Sequence, residues 1–208
     1  EVIPMPPKGE KRKQQIIDTA KEMFISKGFQ STHIGQVCEH LDIARGTVYQ
    51  YFSNKKEILY AILDNVSEDM EDILDPDDLK DYLKTKPDTE VLVRWIDNRI
   101  STCLELLSNE PIVIKLMYRD IVGIDEEVSE KVKIFTDHIV ETISREIGIL
   151  RDNGIFKKEL DPLITASMLV GGIMMVVYQY MKQKKNFLDK NVTKSMAILY
   201  MHGVYDFS

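Results

Sequence analysis

A chain of 208 residues, 44% hydrophobic and 29% charged, is long enough for one or two domains with a sizeable core. Its formal charge of −7 argues at first against a polyanionic partner. The distribution reverses that objection: residues 1–60 carry nine Lys or Arg against seven Asp or Glu, and the acidic excess lies in the remainder. Two cysteines, Cys38 and Cys103, and four scattered histidines form no metal-ligand or nucleophile spacing, and there is no glycine-rich phosphate loop. Neither an enzyme, a metal site nor a bound cofactor is expected. The first seven residues lack the apolar stretch of a signal peptide, which predicts a cytoplasmic protein.

In chain order, residues 10–27 predict an amphipathic helix with Ile16, Ile17, Ala20, Met23 and Phe24 on one face. Lys27-Gly28 is a stop, a cation in the last turn followed by a residue free to take positive φ. Ile34, Val37, Cys38 and Leu41 then share one face of a short helix, and Asp42 suits a sharp reversal. A second short helix starts at Arg45, with Val48 and Phe52 inward and Arg45, Gly46, Thr47, Tyr49 and Gln50 outward. Such a helix offers a bidentate donor, a hydroxyl, an amide and a flat aromatic, which a major-groove reader requires. Periodicity alone fits an ordinary helical hairpin equally well. Asn54 and Glu57 stand at capping-box spacing ahead of a longer helix that runs to about Leu74. Lys8, Lys11, Arg12 and Lys13 on one side and Lys55 and Lys56 on the other are placed to meet phosphates.

These residues resemble the TetR family of one-component bacterial transcriptional regulators. The run Gly46-Thr-Val-Tyr-Gln-Tyr-Phe52, followed by Lys55 and Leu59, carries the resemblance most specifically. Ile17, Ala20, Phe24, Gly28, Phe29, Thr32, Ile34, Val37, Cys38, Leu41 and Ile43 extend it over residues 12–63. The resemblance implies that Arg45, Gly46 and Tyr49 face bases, and that Thr47, Gln50, Tyr51 and Lys55 mostly hold phosphates, with Thr32 beside them. Asp42 departs from the family's usual turn Gly, and Ala44 from its usual Ser or Thr. The second departure removes an N-cap oxygen worth about 1 kcal/mol.

The remainder reads helical throughout. Asp75-Pro76 ends the fourth helix, and a short piece spans 78–84. Longer helices follow over 89–108, from Pro111 to about Val122, over 125–152, 162–184 and 191–205. The expected fold is all-α: a helix-turn-helix DNA-binding domain over residues 8–54, a connecting helix over 55–74, and an effector-binding and dimerisation domain over 75–208.

Pro162–Met181 is uncharged and long enough to cross a bilayer. Its Thr165, Ser167, Gly171, Gly172, Tyr178, Gln179 and Tyr180 suit a core or dimer-interface helix better, so no membrane partner is expected. The resemblance implies that the last two helices pair with a second copy, through Leu169, Gly172, Ile173 and Val176 on one and Met196, Leu199, Tyr200 and Gly203 on the other.

Large adaptable side chains, Trp95, Met117, Tyr118, Phe135, Met168, Met174, Met175 and Tyr178, suggest walls for a hydrophobic small-molecule effector. Arg94, Arg99 and Arg119 are available for an anionic group. Two functions remain open. One is a homodimeric repressor that binds a palindromic double-stranded operator and is released by an effector. The other is a constitutive DNA-binding or architectural dimer whose C-terminal helices only dimerise. A cavity of some hundreds of cubic ångströms would separate them.

Overall fold

A computed structural model describes residues 8–85, 88–117 and 126–204, and within them every regular element is a helix. α1 (Lys8–Lys27) buries Ile16, Ile17, Ala20 and Phe24 and stops where Gly28 adopts φ +88°. Phe29 then turns back to meet Phe24 edge to face at 5.0 Å. α2 (Ile34–Leu41) buries Val37 and Cys38, and Asp42 makes the reversal in the left-handed region at φ 51°, ψ 52°. α3 (Arg45–Tyr49) starts from Ala44 without a side-chain cap. α4 (Lys55–Ile73) is capped by Asn54, whose side-chain oxygen accepts from the N–H groups of Lys56 and Glu57. Glu57 reaches back to the N–H of Ser53, at 2.7 Å, one residue beyond the usual capping-box partner.

α5 (Pro76–Lys84) begins two residues earlier than its pattern predicts. Asp75 serves as its N-cap and Pro76 fills the first turn, where a missing N–H costs nothing. The remaining elements are α6 (Thr89–Asn109), α7 (Pro111–Met117), α8 (Glu126–Asp152), α9 (Pro162–Lys182) and α10 (Lys190–Val204). α8 is central, packing against α9 on one side and against α4 and α5 on others.

One apolar core runs without a break from the first helices to the body. It joins Ile16, Val48 and Phe52 to Leu63 and Val66 of α4, to Leu104 and Leu107 of α6, and to Val170 and Val177 of α9. A smaller cluster gathers Leu79, Ile147, Leu150, Phe156 and Ala166. Polar ties cross the same junctions. Lys21 of α1 pairs with Glu110 at 2.7 Å, and the Lys115 ammonium of α7 donates to the Ile25 carbonyl at 3.3 Å. From α4 to α8 run Lys56–Glu127 at 2.7 Å, Asp64–Lys131 at 2.6 Å and Glu71–His138 at 2.5 Å.

On α9, Ala166, Val170, Met174 and Val177 fall at spacings of four, four and three and form the buried stripe. Its opposite side is apolar too, yet Met168 is 73% exposed. By length and composition α9 could cross a membrane, but within this chain only that one stripe is covered. Gly171 and Gly172 sit in mid-helix, where a Cβ at either would meet nothing within 4 Å among the described residues.

Candidate nucleic-acid interface and effector cavity

The inward face of α3 is held by Val48 and Phe52, both essentially inaccessible, so the opposite side of this short helix must face water. Arg45, Gly46, Tyr49 and Gln50 are exposed there, with Tyr49 54% accessible; Thr47 and Tyr51 are half-buried. An open cleft of about 450 Å³ separates α2 from α3, and Gly35, Gln36, Arg45 and Tyr49 line it. Gly35 was not singled out by its sequence. A Cβ there would stand 2.9 Å from an Arg45 guanidinium nitrogen, the far end of a flexible side chain that can shift aside, so Gly35 lies beneath Arg45 without being required there. At the far end of α3, Gly9 lies 3.7 Å, measured from an ideal Cβ, from the Tyr51 hydroxyl, and the Lys13 ammonium is 6.0 Å from the Phe52 ring. The basic N-terminal run therefore flanks the exposed reader.

Lys55 and Thr32, both expected at the DNA interface, are engaged within the chain. The Lys55 ammonium donates to the carbonyls of Phe29, Gln30 and Thr32 at 2.7, 2.9 and 3.1 Å and sits 4.6 Å from the Phe29 ring. Burial lowers its pKa from the ordinary lysine value. Thr32 is buried, and its hydroxyl donates to the Gly28 carbonyl at 2.9 Å. Both side chains fasten the turn between α1 and α2, whose carbonyls have no helix to pair with. Lys56 is likewise engaged with Glu127. Lys55→Met should therefore lower unfolding free energy by about 2 kcal/mol, the scale of hydrogen bonds to a charged donor. The salt dependence of DNA binding by the folded variant should stay as it was. Chemical denaturation and a salt titration check the two halves separately.

In the body, α6, α8 and α9 leave a small cavity of about 90 Å³. Its walls are apolar (Leu104, Leu107, Ile143, Ile147, Leu150 and Phe156 among them) except where Arg99 meets Glu146. The two side chains are 12% and 11% exposed and bonded through one guanidinium nitrogen, while Arg99 Nε is buried without a partner among the described residues. Trp95 lies under the guanidinium at 4.4 Å and is itself stacked on Tyr82 at 5.0 Å with rings 9° apart. Burial outweighs the attraction of Arg99 and pushes the Glu146 carboxyl up to about 7. Burial likewise raises the Cys103 thiol to about 12, leaving it protonated and inert. Tyr200 donates to the Thr165 carbonyl at 3.0 Å, and burial raises its pKa as well.

Of the residues proposed for an effector wall, Trp95 reaches this cavity. Phe135 is buried elsewhere in the main core, and Met174 belongs to the inward stripe of α9. Tyr178 packs at the margin of that core and Met175 is 46% exposed. Met168 lines a separate groove. The Met117 side chain and Tyr118 lie outside the described residues. Glu146 was missed, though a lone carboxylate inside the apolar stripe Ile143, Ile147, Leu150 was a readable signal. The separate groove, about 460 Å³ between α9 and α10, is lined by Leu169, Gly172, Val176, Met196, Leu199 and Gly203. It shares Ile100, Leu169, Ile173 and Tyr200 with the cavity wall.

Residues 16–62 match the family model described as bacterial regulatory proteins, tetR family. The chain is 37% identical over 65 residues to the HTH-type transcriptional regulator HbdR of Aromatoleum sp. (strain CIB), a match covering 31% of this chain and 28% of that protein. It is 25% identical over 193 residues to the fatty acid metabolism regulator protein of Bacillus subtilis (strain 168), covering 92% of this chain and 95% of that one. The structure of the transcriptional regulator FadR from Bacillus subtilis in complex with stearoyl-CoA superposes with a TM-score of 0.68 at 20% identity, over 92% of this chain and 99% of that chain.

Proposed function

The chain belongs to the TetR family of bacterial regulatory proteins, and from that premise we propose a dimeric repressor of a palindromic operator, released by a small, largely apolar effector. The observation that carries this reading is the continuity of the core. Leu104 and Leu107 of α6 line the cavity and belong to the same packed cluster as Val48 and Phe52 under the reader. A ligand that moves α6 must disturb packing that extends to α3, because close-packed interiors transmit displacement. A reader as short as α3 reaches about four base pairs, too few to specify a site, so two heads must act together.

Pairing is supported by the bare side of α9 and α10. Mid-helix glycine costs about 1 kcal/mol relative to alanine, and a Cβ at Gly171, Gly172 or Gly203 would meet nothing within 4 Å among the described residues. Close approach by another backbone gives them a use, and a second copy would cover Met168 and Leu199 as well. The cavity of about 90 Å³ is smaller than the pocket expected of a sensor, roughly 300–1,000 Å³. Its walls at Ile100, Leu169, Ile173 and Tyr200 are shared with the larger groove, whose outer lip at Gly172, Leu199 and Gly203 a second copy would cover, so in the dimer the joint space would be closed around a ligand's tail. The stearoyl-CoA held by a protein of similar fold supports a ligand with a long apolar chain.

The test selects duplexes from a random library with the purified chain, then adds straight-chain alcohols to the complex. Recovered sites should be two-fold symmetric, and octanol or decanol should weaken binding. Operator affinity indifferent to a broad lipophilic set would instead favour the constitutive dimer. Co-sedimentation with lipid vesicles would assign the bare face of α9 to a membrane.

A further inference from the structure

We propose that Arg99 receives the charged end of a lipophilic monocarboxylate, and that Glu146 yields the guanidinium by taking up a proton. The inference rests on the reading that the cavity between α6, α8 and α9 holds the effector.

The geometry is that of an unfinished fork. Arg99 meets Glu146 through a single terminal nitrogen, and its Nε–H is buried with no acceptor among the described residues. A guanidinium edge presents two parallel donors, which a carboxylate fills with two oxygens. Trp95 covers one face of the group, and Tyr82 stacked on Trp95 fixes the plane. The edge is thereby aimed while the rest of the cavity offers only apolar wall. One polar end and one apolar tail describe an amphiphile. A cationic head would meet Arg99, and a neutral acceptor would use Nε alone. The tail can run past Ile100, Leu169 and Ile173, which the cavity shares with the groove between α9 and α10.

Charge balance dictates the second half. An anion added beside an intact ion pair would leave a net buried negative charge, which is costly. If Glu146 binds one proton from solvent as the ligand carboxylate takes its place on Arg99, the site stays neutral; the one bond formed is the Glu146 O–H, its proton given up by the buffer. The surroundings favour that protonation. Arg99 on α6 is the cation that holds Glu146 ionised, and Asp75 ahead of α5 opposes ionisation. Arg145 on α8 donates to the Thr142 hydroxyl and borders a surface hollow with Asp75, Asp77, Lys80 and Asp152. Cys103 of α6 and Tyr200 of α10 stay neutral, and α9 brings only Leu169 and Ile173 to the cavity. The sign follows. Glu146, raised to about 7, is already half protonated near neutrality, so carboxylate binding should be independent of pH well below 7 and weaken about tenfold per unit above it.

The experiment titrates the full-length protein calorimetrically with octanoate and with octanol, from pH 5.5 to 9, in pairs of buffers of different ionisation heat. Octanoate should take up close to one proton per chain at pH 8, and octanol none. Glu146→Gln should remove both the proton uptake and the pH dependence, and at pH 8 bind octanoate about tenfold tighter than the parent. Arg99→Met should abolish the preference for octanoate while retaining octanol. Octanol binding accompanied by octanoate binding without proton uptake would overturn this inference and leave the effector cavity standing. A pH dependence that persists in Glu146→Gln, with its break near the ligand's own carboxyl pKa of about 5, would show capture of the neutral acid and overturn it equally. Failure of both ligands to bind would overturn the cavity reading and this inference together. The wild-type proton count needs no variant, so poor folding of either substitution leaves the test intact.

Discussion

Replacing Leu199 by Asp should leave a helical, folded chain that sediments as a monomer and has lost tight operator binding. Leu199 is 79% exposed on α10, so a carboxylate there is solvated in the single chain and costs the fold little. In a closed symmetric interface the same carboxylate would be buried twice without a partner. Losing the second head removes the gain from linked half-sites, which is at least about 100-fold in affinity. Leu199 is a cleaner site than Ile173. Ile173 is half-buried and also lines the cavity, so a charge there would damage packing and pairing at once. A Leu199→Asp protein that remains dimeric with full affinity would place the interface on another surface. Analytical ultracentrifugation and a binding isotherm decide it.

The second large effect is expected at the reader. Arg45→Ala should cost about 1–3 kcal/mol per half-site and relax the preference at one base pair in each. For two half-sites that is roughly thirty-fold or more. Its side chain is exposed, so thermal stability should not follow. Lys11→Ala is the contrast. Exposed near the start of α1, it should weaken all sequences alike and lower the salt slope by about one per half-site. Selection of preferred duplexes by each variant separates the two. An unchanged base preference in Arg45→Ala would transfer direct readout to Tyr49 or Gln50.

The helices and the reversal between α2 and α3 were legible because each rests on neighbours in the chain. Asp42 takes the left-handed backbone, Asn54 caps α4, and Val48 and Phe52 turn inward at a spacing of four. What was not legible depends on contacts between distant residues. Lys55 follows the reader directly, which suggests phosphate, yet its acceptors are backbone carbonyls 23 to 26 residues earlier. No side-chain pattern marks a carbonyl as available. The effector wall is a different case. Trp95, Phe135, Met168 and Met175 were grouped by residue type, and type does not reveal which way a side chain points from its helix. Phase would have done better: Arg99 and Glu146 each interrupt an apolar stripe, and the fold brings those stripes together across 47 positions.

The shared core has a bearing on portability. Operator specificity is often imagined as a detachable head that can be moved from one body to another. Here α1 is tied to the junction of α6 and α7 through Lys21–Glu110 and Lys115–Ile25, and Lys56, at the start of α4, reaches Glu127 of α8. A chimaera joined at residue 54 would inherit foreign partners at all three seams. On the proposed reading the transferable unit would be smaller, the exposed face of α3 with Arg45 lying over Gly35. Retargeting it to a new operator would then be a matter of repainting that face, not of exchanging the domain.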